Sequence, residues 1–344
     1  MPATGGRAAG KHRMRLGITY NLKKATCEEA SGGGLGLRGV EAVRRALLER
    51  HESVEMIEAG EDAFERLREA RPQMVLNMAE GLRGDSREAQ MPAIMEMLGI
   101  PYTGAGPLSM ALCMNKARAK EMLSHYGIPT ARFLVAQSAV AGIERFLTFP
   151  MMVKPLFEAS SKGIRNDSIV RDPDELGRKV AEVLEEYGQS ALVEEYLEGR
   201  EFMVPLLGNG DGLRTLPIVE IDCMALPEGV SPICSHDARL LLGTAVAEKD
   251  IFTCPADVND RLATAIGDVA RDAFKALDVR DWCRIDVRLD SCGVPHVIEL
   301  NPLPGLLKEG EAASCLPMAA AAAGMDYSSL VNGVVDIARN RYGL

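Results

Sequence analysis

Four polar side chains alternate with apolar residues across residues 282–305, a stretch with the composition of a β-hairpin. If Leu289 pairs with Val294 around the turn at 290–293, the four polar side chains share one face of the sheet. They are Arg284, Asp286, Glu299 and Asn301. The other face would be apolar: Ile285, Val287, Leu289, Ile298 and Leu300. A slip of one residue would mix the two sets, so the hydrophobic pattern favours this register. Three oxygen ligands beside a guanidinium predict a site for Mg²⁺ and phosphate oxygens.

The simpler interpretation of this hairpin is a sheet with one solvated face, on which charged residues alternate for solubility. The loop that follows the second strand, Asn-Pro-Leu-Pro-Gly at 301–305, argues for a site instead. Two prolines and a glycine make a rigid loop beside the carboxylates, which suits the positioning of a ligand.

Two further stretches could bind a nucleotide. Lys154 ends the short apolar strand 150–155 and precedes a small-residue loop at 158–163. The backbone N–H groups of such a loop can approach phosphates while the lysine supplies a charge, although an ordinary β-turn is the alternative. The apolar strand 191–195 ends in acidic residues. Its backbone could face an adenine edge while a carboxylate accepts hydrogen bonds from the ribose hydroxyls.

The elements that would position these residues begin with strands and helices that alternate over residues 14–102. This alternation predicts a parallel sheet flanked by helices. A Gly-x-Gly-x-x-Gly match at 34–39 does not directly follow the first strand, so dinucleotide binding is disfavoured. The weakly periodic excursion at 222–250 is long for a loop in a compact domain, which favours a functional role.

The 344-residue length suits two or three domains, and the composition is that of a globular α/β protein. The net charge of −10 disfavours nucleic acid as a partner. No apolar run is long enough for a membrane helix, and residues 1–13 lack the core of a signal peptide, so we expect a disordered start and a cytoplasmic protein. The eight scattered cysteines indicate reduced thiols.

Taken together, residues 74–307 resemble an ATP-grasp ligase, and most closely the D-alanine–D-alanine ligase family. The motifs that carry the resemblance are GIPYTG (99–104), MNK (114–116), VKP (153–155), EASSKG (158–163), VEE (193–195), GREF (199–202), RID (284–286) and ELNPLPG (299–305). The resemblance implies an ATP-grasp fold with a parallel α/β domain at 14–104. Two α+β subdomains, at 105–193 and 194–344, would then clamp ATP.

The resemblance also implies roles for individual residues. Nucleotide binding would fall to Lys116, Lys154, Glu158, Ser160, Ser161, Gly163, Glu194, Glu195, Tyr196, Leu197, Glu201 and Arg239. Two Mg²⁺ ions, for which Mn²⁺ can substitute, would be held by Asp286, Glu299 and Asn301. Arg284 would stabilise the anionic centre, and Ser160 would act from the lid over the γ-phosphate. The substrates would contact Arg284, Asn301, Gly305 and Leu306.

The implied reaction joins an acid to an amine. A carboxylate attacks the γ-phosphate to give an acyl phosphate and ADP, and the amine then displaces phosphate. Amino acids or peptides would be the substrates, with cell-wall synthesis as the family's pathway and a homodimer as its assembly. Three alternatives remain: a related ligase that joins a different pair of amino acids or peptides in specialised metabolism, a non-catalytic ATP-binding regulator, and an enzyme that transfers a phosphoryl group to a hydroxyl.

Four departures from the family pattern concern mainly the amino-acid substrates. Arg239-Leu240 stands where the family has a lysine and a tyrosine, and residues 306–310 lack the serine that follows the Pro-Gly turn. Glu28 and Glu29 cannot be aligned to the amine-binding acid, and Asn115 replaces an aspartate. We therefore expect intact nucleotide machinery and altered amino-acid recognition.

Overall fold

The computed structural model describes residues 13–22, 36–138, 142–159, 161–225, 233, 251–306 and 314–344. Several predictions lie wholly or mostly outside these ranges: disorder over residues 1–13, of which only Arg13 is described, the roles of Glu28, Glu29, Ser160, Arg239 and Leu240, and most of the excursion at 222–250. Within the described ranges, no helix is long and apolar enough to cross a membrane.

The N-terminal domain is built on a parallel sheet, as predicted. Its strands β1 (Arg15–Tyr20), β2 (Ser53–Glu58) and β3 (Met74–Asn77) lie in the order β2-β1-β3. The helices of this part are α1 (Leu37–Leu48), α2 (Ala63–Ala70) and α3 (Gln90–Leu98). The expected fourth strand is a single parallel bridge between Val75 and Tyr102.

The central sheet is antiparallel, with strands β4 (Phe133–Ala136), β5 (Met151–Pro155), β6 (Ile169–Val170) and β7 (Ala191–Glu195) in the order β4-β7-β5-β6. Helix α6 (Pro173–Tyr187) packs on it through Leu176, Val180 and Val183. The side chain of Asp172 accepts a hydrogen bond from the Glu175 amide at 2.9 Å, so the predicted N-cap is confirmed.

A larger antiparallel sheet carries the hairpin. Its strands are β8 (Glu201–Leu207), β9 (Arg214–Thr215), β10 (Val219–Ile221), β11 (Phe252–Thr253), β12 (Trp282–Leu289) and β13 (Pro295–Asn301), in the order β11-β10-β8-β12-β13 with β9 beside β8. One face packs under α4 (Pro107–Met114), α5 (Lys116–His125) and α7 (Asp260–Ala276). Part of the other face shares a core with the N-terminal sheet, α8 (Cys315–Ala322) and α9 (Tyr327–Tyr342).

The hairpin does not have the predicted register. Asp290 donates its amide hydrogen to the Val294 carbonyl at 3.0 Å, so the turn contains only three residues. Leu289 therefore lies opposite Pro295 and not Val294. Gly293 adopts the positive φ of 80° that closes such a turn.

A β-bulge in β13 shifts the pairing by a second residue. Beyond it, Arg284 lies opposite Asn301, and Asp286 lies opposite Glu299. The two shifts together displace the register by two residues, and side chains alternate with a period of two. The predicted polar face is therefore correct, although the predicted pairs are not.

The bulge reverses two side chains of β13. The predicted register pairs Val297 with Asp286 and so places it on the polar face, but Val297 is fully buried in the core beneath α7. Ile298, expected on the apolar face, lines the cleft beside the polar residues. The extra residue that a bulge inserts accounts for both errors.

Candidate active site

A cleft lies where the central and large sheets approach each other. Its walls come from β5 and β7 of the central sheet and from β8, β12 and β13 of the large sheet. Twelve of the predicted residues line it: Lys116, Lys154, Glu158, Ser161, Glu194, Glu195, Tyr196, Leu197, Glu201, Arg284, Asp286 and Glu299. The structure therefore brings together motifs that are separated by up to 183 residues, from Lys116 to Glu299.

The polar face of the hairpin forms one wall. Arg284 holds Asp286 through two hydrogen bonds, both 2.8 Å long, from Nε and Nη2. Asn301 Nδ2 lies 3.4 Å from Asp286 Oδ2 and 3.3 Å from Glu299 Oε1. Burial raises the pKa of Asp286 to about 6, against the opposing effect of Arg284 and with a contribution from Glu299. The wall thus concentrates anionic charge that a cation would stabilise.

Two buried lysines face these acids. Lys116 begins α5, where Asn115 caps the helix by accepting from the Arg118 amide at 3.1 Å. Asparagine caps as well as aspartate, so the departure at this position preserves the geometry. The Lys116 ammonium donates to the Glu158 carbonyl and lies 3.7 Å from Glu299 Oε2.

Glu194 is enclosed by two lysines, one of which the sequence analysis missed. Its Oε1 lies 2.5 Å from Lys154 Nζ, and its Oε2 lies 2.9 Å from Lys120 Nζ. Burial opposes ionisation, but the two ammonium groups outweigh it and hold the pKa of Glu194 at about 2. Lys120 follows Lys116 by four residues, so both lie on one face of α5, and this spacing is the signal that could have found it.

Lys120 also links the two sheets. Its Nζ donates to Thr130 Oγ1 at 2.8 Å, and that hydroxyl donates to the Val297 carbonyl at 2.7 Å. Val297 lies in β13, one position from the bulge and two from Glu299. A chain of contacts therefore runs from Glu194 on the central sheet to the acidic strand of the large sheet.

The small-residue loop after β5 needs its glycine. Gly163 has a φ of 78°, and a Cβ atom there would lie 2.3 Å from Pro155 Cγ. Ser161 also has a positive φ of 62°. Gly163 does not line the cleft directly; it lets the loop fold back against the end of β5, next to Lys154.

Glu158, at the start of this loop, gathers cations from different parts of the chain. Gln189 donates to its Oε1 at 3.0 Å, while Lys162 lies 3.4 Å and Arg87 lies 3.7 Å from its Oε2. Arg87 belongs to the N-terminal domain. Its neighbour Glu88 is buried, and burial, then the nearby Glu80, raises the pKa of Glu88 to about 7.

The turn after β13 places the remaining predicted residues behind the cleft. Leu306 is 2% exposed and packs in the core, so its side chain is not available to a substrate. Its carbonyl accepts from the Tyr327 hydroxyl at 2.9 Å. The hydroxyl of Ser314, the N-cap of α8, lies 3.0 Å from the position of a Cβ atom on Gly305. A serine therefore does adjoin the Pro-Gly turn, but it comes later in the chain than residues 306–310.

The family model for the C-terminal part of D-Ala–D-Ala ligases matches residues 122–336. A D-alanine–D-alanine ligase of Bordetella petrii is 30% identical over 97% of this chain and 94% of its own length. An uncharacterised protein of Sinorhizobium fredii, y4sG, is 39% identical over 78% of this chain and 75% of its length.

Solved structures give the same fold. The D-alanine–D-alanine ligase of Bacillus anthracis in complex with ATP superimposes with a TM-score of 0.73 at 24% identity, over 96% of this chain and 99% of that one. The corresponding ligase of Coxiella burnetii gives 0.69 at 20% identity, over 96% and 95%. The match of the family model and the full-length relatives together show that the chain belongs to the D-alanine–D-alanine ligase family.

Proposed function

We propose that the protein is an ATP-dependent, ADP-forming ligase that joins a carboxylate to an amine through an acyl phosphate. The observation that carries the proposal is the single cleft into which Lys116, Lys154 and the acidic face of the hairpin converge. Two cations and two carboxylates opposed in this way suit a triphosphate with its metal.

The nucleotide would lie between the central and large sheets. Lys116 and Lys154 would contact its phosphates, Glu194 to Leu197 would meet the adenine, and Glu201 the ribose. Ser160, Ser161 and the loop amides would cover the γ-phosphate, and Arg239 would approach it from the excursion. The Bacillus anthracis ligase, which shares this fold, was solved in complex with ATP, and this supports ATP as the nucleotide.

Mg²⁺ fits the donor set. Among the described residues, no cluster of three or more His, Cys, Asp or Glu side chains is arranged for a metal. Mg²⁺ does not need one, because it is usually held by one or two carboxylates together with waters and substrate phosphates. Asp286, Glu299 and the Asn301 amide oxygen would hold the two ions, which would neutralise charge on the transferring phosphoryl group.

Arg284 would act at the reacting carbonyl carbon. Its Nε and Nη2 are held by Asp286, which fixes the plane of the guanidinium before any substrate arrives. A donor fixed in this way costs no reorganisation when negative charge develops on the tetrahedral intermediate. The loop over the phosphates would exclude the water that hydrolyses an acyl phosphate.

The amino-acid substrates would lie toward the turn after β13. Asn301, Gly305 and the backbone of Leu306 would contact them, and Ser314 would take the place of the family's carboxylate-binding serine. The substrates are amino acids or short peptides, with D-alanine as the first candidate. We also propose domain boundaries near residues 104 and 193, a cytoplasmic location and a homodimer, as the resemblance suggests.

The test is release of ADP and phosphate by the purified protein with Mg²⁺ and ATP. D-Alanine is supplied alone and then replaced by pairs of other amino acids, with Asp286→Asn as the inactive control. Turnover with D-alanine alone would identify D-alanine as the substrate. Turnover only with another pair of amino acids would support the ligase activity and identify different substrates. ATP binding without turnover for any pair, or ADP release independent of an amine, would contradict the proposal.

A further inference from the structure

Arg288 lines the cleft from β12, two residues beyond Asp286, and only 8% of its surface is exposed. Its guanidinium donates three hydrogen bonds to residues in the described part of the chain. Nη1 donates to Glu201 Oε2 at 3.0 Å, Nη2 donates to the Tyr196 hydroxyl at 2.7 Å, and Nε donates to the Gly199 carbonyl at 3.1 Å. The guanidinium carbon also lies 4.7 Å from the centre of the Tyr196 ring. A planar arginine held at three points has little rotational freedom.

The backbone is shaped to allow this arrangement. Arg288 and Glu201 lie directly opposite each other in the pairing of β12 with β8. A Cβ atom on Gly199 would lie 2.5 Å from the Leu289 carbonyl oxygen, so only glycine lets the turn before β8 approach β12 so closely. That approach brings the Gly199 carbonyl within reach of Arg288.

Both side chains that Arg288 binds belong to the proposed nucleotide site. The contact with Glu201 uses one carboxylate oxygen, whereas an ionised carboxylate can accept about four hydrogen bonds. Glu201 thus keeps acceptor capacity for hydroxyl donors. A glutamate whose rotamer is already fixed loses less conformational entropy when it binds them.

We propose that Arg288 is a positioning residue that makes the cleft selective for ribose. It fixes the Glu201 carboxylate in the orientation that accepts hydrogen bonds from the two ribose hydroxyls, and it holds the Tyr196 ring beside that carboxylate. The inference rests on the proposed function, because it requires a nucleotide in this cleft. Arg288 itself takes no part in the transfer of the phosphoryl group.

The test compares affinities for ATP, 2′-deoxyATP and 3′-deoxyATP in wild-type protein, Arg288→Met and Arg288→Lys. A hydrogen bond to a charged acceptor corresponds to a roughly ten- to hundredfold preference for ATP over either deoxynucleotide in the wild type. In Arg288→Met we expect ATP to bind about tenfold more weakly and the deoxynucleotides nearly as before, so that the preference for ATP falls about tenfold. Arg288→Lys, which keeps the charge opposite Glu201, should retain part of it.

Arg200→Met is the matched control. Arg200 also holds a glutamate of the same sheet, Glu220, at 2.6 and 2.7 Å, but outside the cleft. Its loss should leave the preference for ATP unchanged. If Arg288→Met does not fold, Arg288→Lys carries the test, and it should prefer ATP less strongly than the wild type does.

Unchanged discrimination in a folded Arg288→Met protein that binds ATP would overturn the inference alone. A uniform loss of affinity for all three nucleotides would also overturn it, because that result describes a structural brace. Wild-type protein that binds none of the three would overturn the proposed function, and this inference with it.

Discussion

Replacement of Lys120 by methionine tests the ion-pair cluster around Glu194. Burial and the two lysines together leave the pKa of Glu194 at about 2, against an ordinary value of 4.5. Each unit of this difference corresponds to about 1.4 kcal/mol, so the ionised carboxylate contributes about 3 kcal/mol to stability at neutral pH. Lys120 supplies one of the two ion pairs. We therefore expect Lys120→Met to lower the free energy of unfolding by about 2 kcal/mol. The net loss is somewhat smaller, because the variant no longer has to remove an ammonium group from water when it folds.

The assay is urea denaturation of four proteins at pH 7.5: the wild type, Lys120→Met, Glu194→Gln and the double variant. The cycle isolates the interaction of Lys120 with Glu194 from other effects of each substitution. Lys179→Met is the matched control, because Lys179 is equally buried but its partners Asp167 and Glu182 are 53% and 30% exposed. Its loss should cost less than about 1 kcal/mol.

The pH dependence gives an independent check. A carboxylate with a depressed pKa in the folded state stabilises the fold above its unfolded pKa and loses this effect as the pH falls toward the folded value. The difference between the wild type and Lys120→Met should therefore be constant from pH 8 to about 5 and shrink below about pH 4. Equal destabilisation by Lys120→Met in the Glu194→Gln background and in the wild type would show that Lys120 does not stabilise the protein through Glu194.

Three further outcomes follow from the cleft. Gly163→Ala should raise the KM for ATP by at least about tenfold, because the new Cβ would meet Pro155 and alanine is strained at a φ of 78°. The control is Gly188→Ala, at a φ of 61° with no atom within 4 Å of the new Cβ, and it should leave the KM for ATP unchanged. The concentration of Mg²⁺ needed for half-maximal activity should rise as the pH falls below about 6, since the pKa of Asp286 lies there and its protonated form is a poor ligand; a requirement that stays flat from pH 8 to 5.5 would exclude Asp286 as a ligand. Ser314→Ala should raise the KM for the amine substrate about tenfold with little change for ATP, because one hydrogen bond to a carboxylate is lost; an equal effect on both would place Ser314 outside the amino-acid site.

The polar face of the hairpin could be predicted from the sequence because it depends only on the parity of the strand positions. A displacement of two residues conserves parity, so Glu299 and Asn301 stayed on the same face of the sheet as Arg284 and Asp286. The bulge could not be predicted, because Val297 and Ile298 are both apolar and an exchange of their faces leaves the hydrophobic pattern unchanged. Val297 and Ile298 were accordingly assigned to the wrong faces.

The residues that the sequence analysis missed share one property. Lys120, Arg288 and Ser314 function through partners that are 74, 87 and 9 residues away, at Glu194, Glu201 and Gly305. A local pattern can show that a lysine or arginine lies on a given face, but it cannot show which acid lies opposite. The packing of α5 beside β7 determines the pair of Lys120 with Glu194, and the pairing of β8 with β12 determines that of Arg288 with Glu201.

The packing of α9 against the N-terminal sheet has a consequence for synthesis on the ribosome. Val334 and Val335 of this helix are fully buried in the core that also contains β1 and α1, and Arg341 bonds to Asp281 and to the Tyr102 carbonyl. About 300 residues must therefore be translated after the first strands before α9 can cover their apolar face. At bacterial to eukaryotic rates of translation this takes roughly 15–60 s. During that interval the nascent N-terminal domain exposes apolar surface, which favours aggregation.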